Sequence, residues 1–173
     1  DGRSVSTRIS ATKAKMSALA VERVRALVDA AMEATRRITT ELRPSVLDHR
    51  GLWAALDWLA QETAAASSVT FEVDLAAVRD LNLSESVSTA VFRIVQEALR
   101  NVVRHAAASA VYLKADRENQ DLLITVRDNG RGMNALTAEK AGSWGIVGMQ
   151  ERAAALGGSV HVGACAPSGT AVK

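Results

Sequence analysis

The apolar residues change their period once along this chain, at Ser67-Ser68, and that change separates two kinds of fold. Before it, Leu27, Ala31, Ala34, Ile38 and Leu42 recur at helical spacing, with Glu33, Arg36, Arg37, Glu41 and Arg43 on other faces. A helical reading therefore runs from about Arg3 to Ala66. Pro44 interrupts it, because its ring cannot continue the hydrogen-bond ladder and disfavours helix at Arg43. Gly51 then opens a second apolar helix over residues 52–65. Packing within one chain and a seam between two copies account equally well for this periodicity.

Beyond the serines, residues 69–75 alternate like a strand. Ser84-Glu85-Ser86 offers caps for a long helix reaching about Ala106. Two β-rich segments, 110–115 and 122–128, flank a polar turn at 116–120. A glycine-rich stretch over 128–133, a short polar link and a second glycine cluster from Gly142 follow. A helix over 149–156, the pair Gly157-Gly158 and two short strands complete the pattern. The expected class is α+β, with helices in residues 1–66 and a mixed α/β domain in residues 67–173.

A chain of 173 residues with 48% apolar content and a mean hydropathy of +0.04 can bury a substantial core. Its 21 basic and 19 acidic residues leave a charge of +2, so the pI of 9.0 gives no support to direct nucleic-acid binding. Cys165 is the single cysteine and cannot form an internal disulfide, which fits a reducing, cytoplasmic setting. The apolar run Leu52 to Ala60 is broken by Asp57 and falls short of the ~20 residues a membrane helix needs. The start shows no signal-peptide pattern. Asp1 stands where an initiating Met would, so the chain reads as a fragment, with any membrane anchor or sensor region expected upstream.

Three clusters carry chemistry. In the run from Arg93 to His105, Ile94, Ala98 and Val102 make an apolar side, with Val95 and Leu99 on adjoining rows. Glu97, Asn101, Arg104 and His105, at i, i+4, i+7 and i+8, share one helix stripe. A carboxylate and an amide oxygen suit Mg²⁺ or its water shell, and Arg and His suit phosphate oxygens. The same stripe, taken alone, also describes a solvated face with an incidental ion pair. The second cluster is Asp128-Asn129-Gly130-Arg131-Gly132-Met133, at a strand end. Glycines there let the backbone approach a flat ligand, and the carboxylate can accept from an exocyclic amine such as that of adenine. Asp-Asn-Gly is equally a common hairpin turn. The third, Gly142 to Met149 leading into Gln150-Glu151-Arg152-Ala153, sets spaced glycines before a helix N-terminus, an anion site by virtue of its free N–H groups. Its spacing is not that of a dinucleotide fingerprint, and no Gly-Lys-Ser/Thr follows to make a Walker loop.

In this order the clusters resemble the ATP site of the GHKL superfamily, which includes histidine kinases, gyrase-type topoisomerases, Hsp90 and mismatch-repair ATPases. Residues 97–105 resemble its N box, Asp128 to Gly132 its first glycine box, Gly145 to Gly148 its second, and Ser168-Gly169-Thr170 its closing strand. Phe92 to Leu99, Asn101 to Ala106 and Gly145 to Ala153 are similar to the NarL/DesK-type sensor kinases that pair with LuxR-type regulators. Glu41-Leu42-Arg43-Pro44 with Leu47 to Leu52 resembles their junction after the second dimerisation helix.

The resemblance implies a Bergerat-type α/β sandwich that binds ATP, preceded by antiparallel dimerisation helices in residues 1–66. It implies that Asp128 meets the adenine amine, that Asn101 coordinates Mg²⁺, and that Arg104 and His105 face phosphates. Gly130, Gly132, Met133, Gly145, Ile146, Val147, Gly148 and Thr170 would line the nucleotide, with residues 134–141 as a short lid. Glu97 would serve as general base or order a Mg²⁺-bound water; the alternative base is the acidic residue after the phosphorylated histidine. That acceptor belongs on the first dimerisation helix. His49, His105 and His161 all lie after the Arg-Pro junction, so the acceptor is expected upstream of Asp1 and the fragment is not expected to phosphorylate itself. The implied partners are a second copy of the full-length protein and a LuxR-type response regulator. A glycine usual in the second glycine box is Ser143 here, and Trp144 occupies a lid position. A nucleotide-dependent serine kinase of anti-sigma type is the rival within the superfamily, and a nucleotide-free helical scaffold the rival outside it.

Overall fold

The computed structural model describes residues 45–119, 121–132 and 143–173. The expected first helix, its dimer seam, the lid and Met133 lie outside the described residues. Leu47, Leu52, Ala55, Leu56 and Leu59 bury one side of helix α1 (Ser45–Ala65). Gly51 stands at φ 72 and ψ 170 within it, so α1 is two helical pieces joined at a kink, with the second beginning where the glycine predicts. Strand β1 (Thr70–Asp74) and a 3₁₀ turn (Ala76–Val78) lead to helix α2 (Glu85–Asn101). The Ser84 side chain caps α2 by accepting from the Val87 N–H at 3.4 Å. Phe92, Val95, Ala98 and Leu99 form its buried face. The chain then widens into a π-helical turn (Val102–Ala106), stopped by Ala107 in a left-handed conformation.

Strands β2 (Ala110–Glu118) and β3 (Asp121–Asp128) form a hairpin, both longer than the sequence suggests. Helix α3 (Ser143–Ala154), β4 (Val162–Ala164) and β5 (Thr170–Val172) complete the fold. The sheet order is β1-β2-β3-β5-β4, parallel only between β1 and β2. Val111, Leu113 and Ala115 alternate inward from β2 and are buried, whereas Tyr112, Lys114 and Asp116 stay partly exposed on the far face. Lys114 pairs with Asp116 there at 2.7 Å. One layer of helices thus covers one face of a mixed sheet, the α/β sandwich expected from the sequence. Its core holds Leu56, Phe92, Leu99, Leu113 and Met149, all buried.

The compact unit that contains the sheet runs from Pro44 to Lys173 and so takes in α1. The reason is that α1 spends its apolar side on the sheet domain's own core, and Trp53 Nε1 donates to the Leu81 carbonyl at 2.9 Å. Periodicity shows that a helix has a face to bury, not what buries it. Among the described residues, no helix is long and apolar enough to cross a membrane.

Candidate functional site

Glu97 sits one turn before Asn101, the last residue of α2. Its Oε2 accepts from Arg100 Nη1 at 2.7 Å. On the other side of the carboxylate, a Cβ placed on Gly145 would lie 2.5 Å from Glu97 Oε1. The absence of a side chain at this point in α3 leaves the room that the Glu97 carboxylate occupies. The pair with Arg100 is partly exposed and contributes about 0–1 kcal/mol to stability, so its effect is to orient the carboxylate. Arg93 Nη1 donates to Gln96 Oε1 at 2.7 Å. Burial, reinforced by the charges of Arg152 and Arg100, lowers the Arg93 pKa from its ordinary value. Arg93, Arg100 and Arg152 thus lie near enough to one another for their charges to interact.

Arg104 and His105 are exposed in the π-helical turn. The extra residue in that turn ends the straight helical stripe at Asn101, so the single four-residue stripe expected from spacing is broken. The turn aims backbone groups at the next cluster instead. The Ala106 carbonyl accepts the Arg131 N–H at 2.9 Å, and the His105 carbonyl accepts Arg131 Nε at 2.8 Å. Gly130 lies so close to the Ala106 carbonyl that a side chain there would overlap it.

Asp128 ends β3, opposite Val111, and is only 4% exposed. Its Oδ1 accepts the Gly130 N–H at 2.8 Å, which leaves Oδ2 as the oxygen that can accept from a ligand. The Asp-Asn-Gly sequence is no hairpin, since β3 pairs onward with β5. Gly169 packs against the Asp128 carbonyl, and Gly132, at φ +75, faces the Gly169 carbonyl. Thr170, half-buried, opens β5 beside them. The N-box helix, the first glycine turn and the closing strand are thus held to one another by backbone contacts.

The second glycine cluster differs from its expected form. Gly145, Ile146, Val147 and Gly148 lie within α3, which starts at Ser143 rather than at Met149. Ile146 packs against the core and Met149 is wholly buried, and this packing outweighs the low helix propensity of the two glycines. Val147 is exposed, and Gly148 lies beside the Arg152 guanidinium. The helix start, whose first N–H groups have no partner within the helix itself, now falls at residues 143–146.

Two residues escaped the sequence reading. Arg100 pairs with Glu97 at a spacing of three, a signal that was visible. Asn129 clamps the end of β2, which depends on strand register and left no local trace. Among the described residues, no three His, Cys, Asp or Glu side chains converge as a metal cage. Glu97 and Asn101 supply a carboxylate and an amide oxygen one turn apart, a donor set that fits Mg²⁺ shared with a substrate's phosphates.

A buried carboxylate ends β3, and the turn after it packs on the end of the helix segment that bears Glu97 and Asn101, within an α/β sandwich. The family model described as histidine kinase-, DNA gyrase B- and HSP90-like ATPase matches residues 86–173, and the chain belongs to that family. The sensor histidine kinase LiaS of Bacillus subtilis is 36% identical over 156 residues, covering 88% of this chain and 42% of that protein. The sensor histidine kinase MctS of Rhizobium johnstonii is 36% identical over 140 residues, covering 80% and 30%. This chain therefore spans less than half the length of either relative. Among solved structures, the histidine kinase domain of the blue-light activated kinase from Erythrobacter litoralis EL346 superposes with a TM-score of 0.59 at 22% identity, over 70% of this chain and 58% of that one. That likeness is one of fold.

Proposed function

We propose that this chain binds ATP and Mg²⁺ where α2, the Asp128–Gly132 turn and the start of α3 meet. In the complete protein it transfers the γ-phosphate to a histidine on a dimerisation helix upstream of Asp1, for relay to an aspartate of a LuxR-type response regulator. The observation that carries the reading is the buried Asp128 carboxylate, anchored through Oδ1 and joined by the Gly130–Ala106 approach to the helix bearing Glu97 and Asn101. The two relatives, both named as sensor histidine kinases, support the reaction type.

On this reading Asp128 accepts from the adenine amine, where its burial strengthens the hydrogen bond. Asn101 and the nucleotide phosphates would hold Mg²⁺, which would supply charge neutralisation. Arg104 and His105 turn to phosphate oxygens. Gly130, Gly132, Gly145, Ile146, Val147, Gly148 and Thr170 shape the walls. The acceptor imidazole nitrogen forms a bond to the γ-phosphorus as the bond to the β–γ bridging oxygen breaks, and ADP leaves. Such transfer is mainly positioning and charge neutralisation. Glu97 would take the imidazole proton or help to order the water shell of Mg²⁺. The partners are a second copy of the complete protein and its regulator, with membrane attachment confined to segments outside this chain.

Calorimetry with a non-hydrolysable ATP analogue and Mg²⁺ tests the site. Wild type should bind with roughly 4 to 8 kcal/mol. Asp128→Asn should weaken binding by about tenfold, the loss of one charged hydrogen bond. Equal affinity in the two proteins would defeat the assignment.

A further inference from the structure

The strand ends around the buried carboxylate are tied together by one side chain. Asn129 Oδ1 accepts two consecutive backbone N–H groups, Ser109 at 2.9 Å and Ala110 at 3.0 Å. Its Nδ2 donates to Ser109 Oγ at 2.9 Å, and its own N–H bonds the Ala110 carbonyl at 3.2 Å. The first residue of β1 joins the same point, since the Thr70 N–H and Thr70 Oγ1 both donate to the Ser109 carbonyl, at 2.9 and 3.0 Å. Three strands meet at Ser109 and Asn129.

The ladder between β2 and β3 ends at the pair Val111 and Asp128. A strand end normally frays beyond its last rung, because the following peptides have no partner to hold them. The next pair, Asn129 and Ala110, keeps one backbone bond, and the Asn129 carboxamide supplies the other by accepting the Ala110 N–H. It does so immediately after the carboxylate whose other constraint is the Gly130 N–H, the residue just beyond Asn129. Asp128 is thus fixed from both sides of one clamped residue.

We propose that Asn129 is the positioning residue for purine selectivity: by locking the end of β3 to β2, it aims Asp128 Oδ2 and so sets the preference for a 6-aminopurine nucleotide. The proposal rests on the reading that Asp128 meets the adenine amine. Asn129 touches no ligand on this account and acts only through Asp128. A side chain with a single polar arm cannot span Ser109 N, Ala110 N and Ser109 Oγ together. Aspartate retains the acceptor, and the Ser109 hydroxyl can rotate to donate to it.

The test compares ATP with purine riboside triphosphate, which lacks the 6-amino group, by calorimetry with Mg²⁺. Wild type, Asp128→Asn, Asn129→Ala and Asn129→Asp are measured, with circular dichroism melts alongside. Wild type should favour ATP by about tenfold, the value of one such hydrogen bond. Asn129→Ala should cut that preference to below about threefold with little change in affinity for purine riboside triphosphate, and Asn129→Asp should restore most of it. Should Asn129→Ala not fold, Asn129→Ser is read in its place. Equal weakening of both nucleotides, or a preference untouched by the substitution, would overturn the proposal while a preference lost in Asp128→Asn keeps the adenine assignment. Absence of any preference in wild type would overturn the assignment and the proposal with it.

Discussion

Replacing Gly130 by alanine strikes the point where the first glycine turn meets the N-box helix. The added Cβ would overlap the Ala106 carbonyl oxygen and lie 2.8 Å from its carbon and 2.9 Å from the Ala106 Cβ. These atoms belong to the backbone and stub of a π-helical turn, so no rotamer change clears them. Relief requires the strand end and the turn to part, which also stretches the 2.9 Å bond from the Arg131 N–H to the same carbonyl. Overpacking costs about 1–3 kcal/mol, and the lost hydrogen bond adds about 1 kcal/mol. The sum is about 2–4 kcal/mol, or a fall in Tm of roughly 4–16 °C for a domain of this size. Thermal and urea melts followed by circular dichroism measure it. Gly157→Ala is the control: Gly157 has φ +76 with nothing within 4 Å, so alanine there meets backbone strain of about 1–2 kcal/mol and no clash. If Gly130→Ala is no less stable than Gly157→Ala, the close approach does not hold the site together and the reasoning fails.

At Gly145 the outcome should separate stability from chemistry. An alanine Cβ 2.5 Å from Glu97 Oε1 can push aside the end of a flexible side chain, so stability should change by less than about 1 kcal/mol. In the full-length protein, phosphotransfer should fall by about 10- to 100-fold through misplacement of the acid. Matching losses in nucleotide affinity and transfer rate would show that Glu97 only supports binding. Leu113→Ala, at a position with 0% exposure on the interior strand β2, should cost about 2–5 kcal/mol in urea melts. A loss under about 1 kcal/mol would mean that the core lies elsewhere.

Local chemistry made much of this molecule readable in advance. The Ser84 cap, the alternation through β2, and Asp128 at the end of a strand all appear where spacing and propensity place them. Glu97 and Asn101, one turn apart, were visible as an oxygen pair for the same reason. Gly145 and Gly148 were not legible as helix. Intrinsic propensity counts glycine as a breaker, and the burial of Met149 one residue later reversed the balance. The π-helical turn was equally hidden. Its extra residue is selected by where the Ala106 carbonyl must point, toward Arg131, some 25 positions further along the chain.

The sequence alone determined the order of helices and strands, the chemical types at the site and, through three ordered motifs, the family. Tertiary structure alone decided which surface covers α1, how Arg100 and Gly145 hold Glu97, and how Asn129 clamps the strands beside Asp128. The reason is physical: helix period, capping and strand alternation act between residues a few places apart. The approach of Gly130 to Ala106 and the β2–β3 register exist only when distant segments share one core.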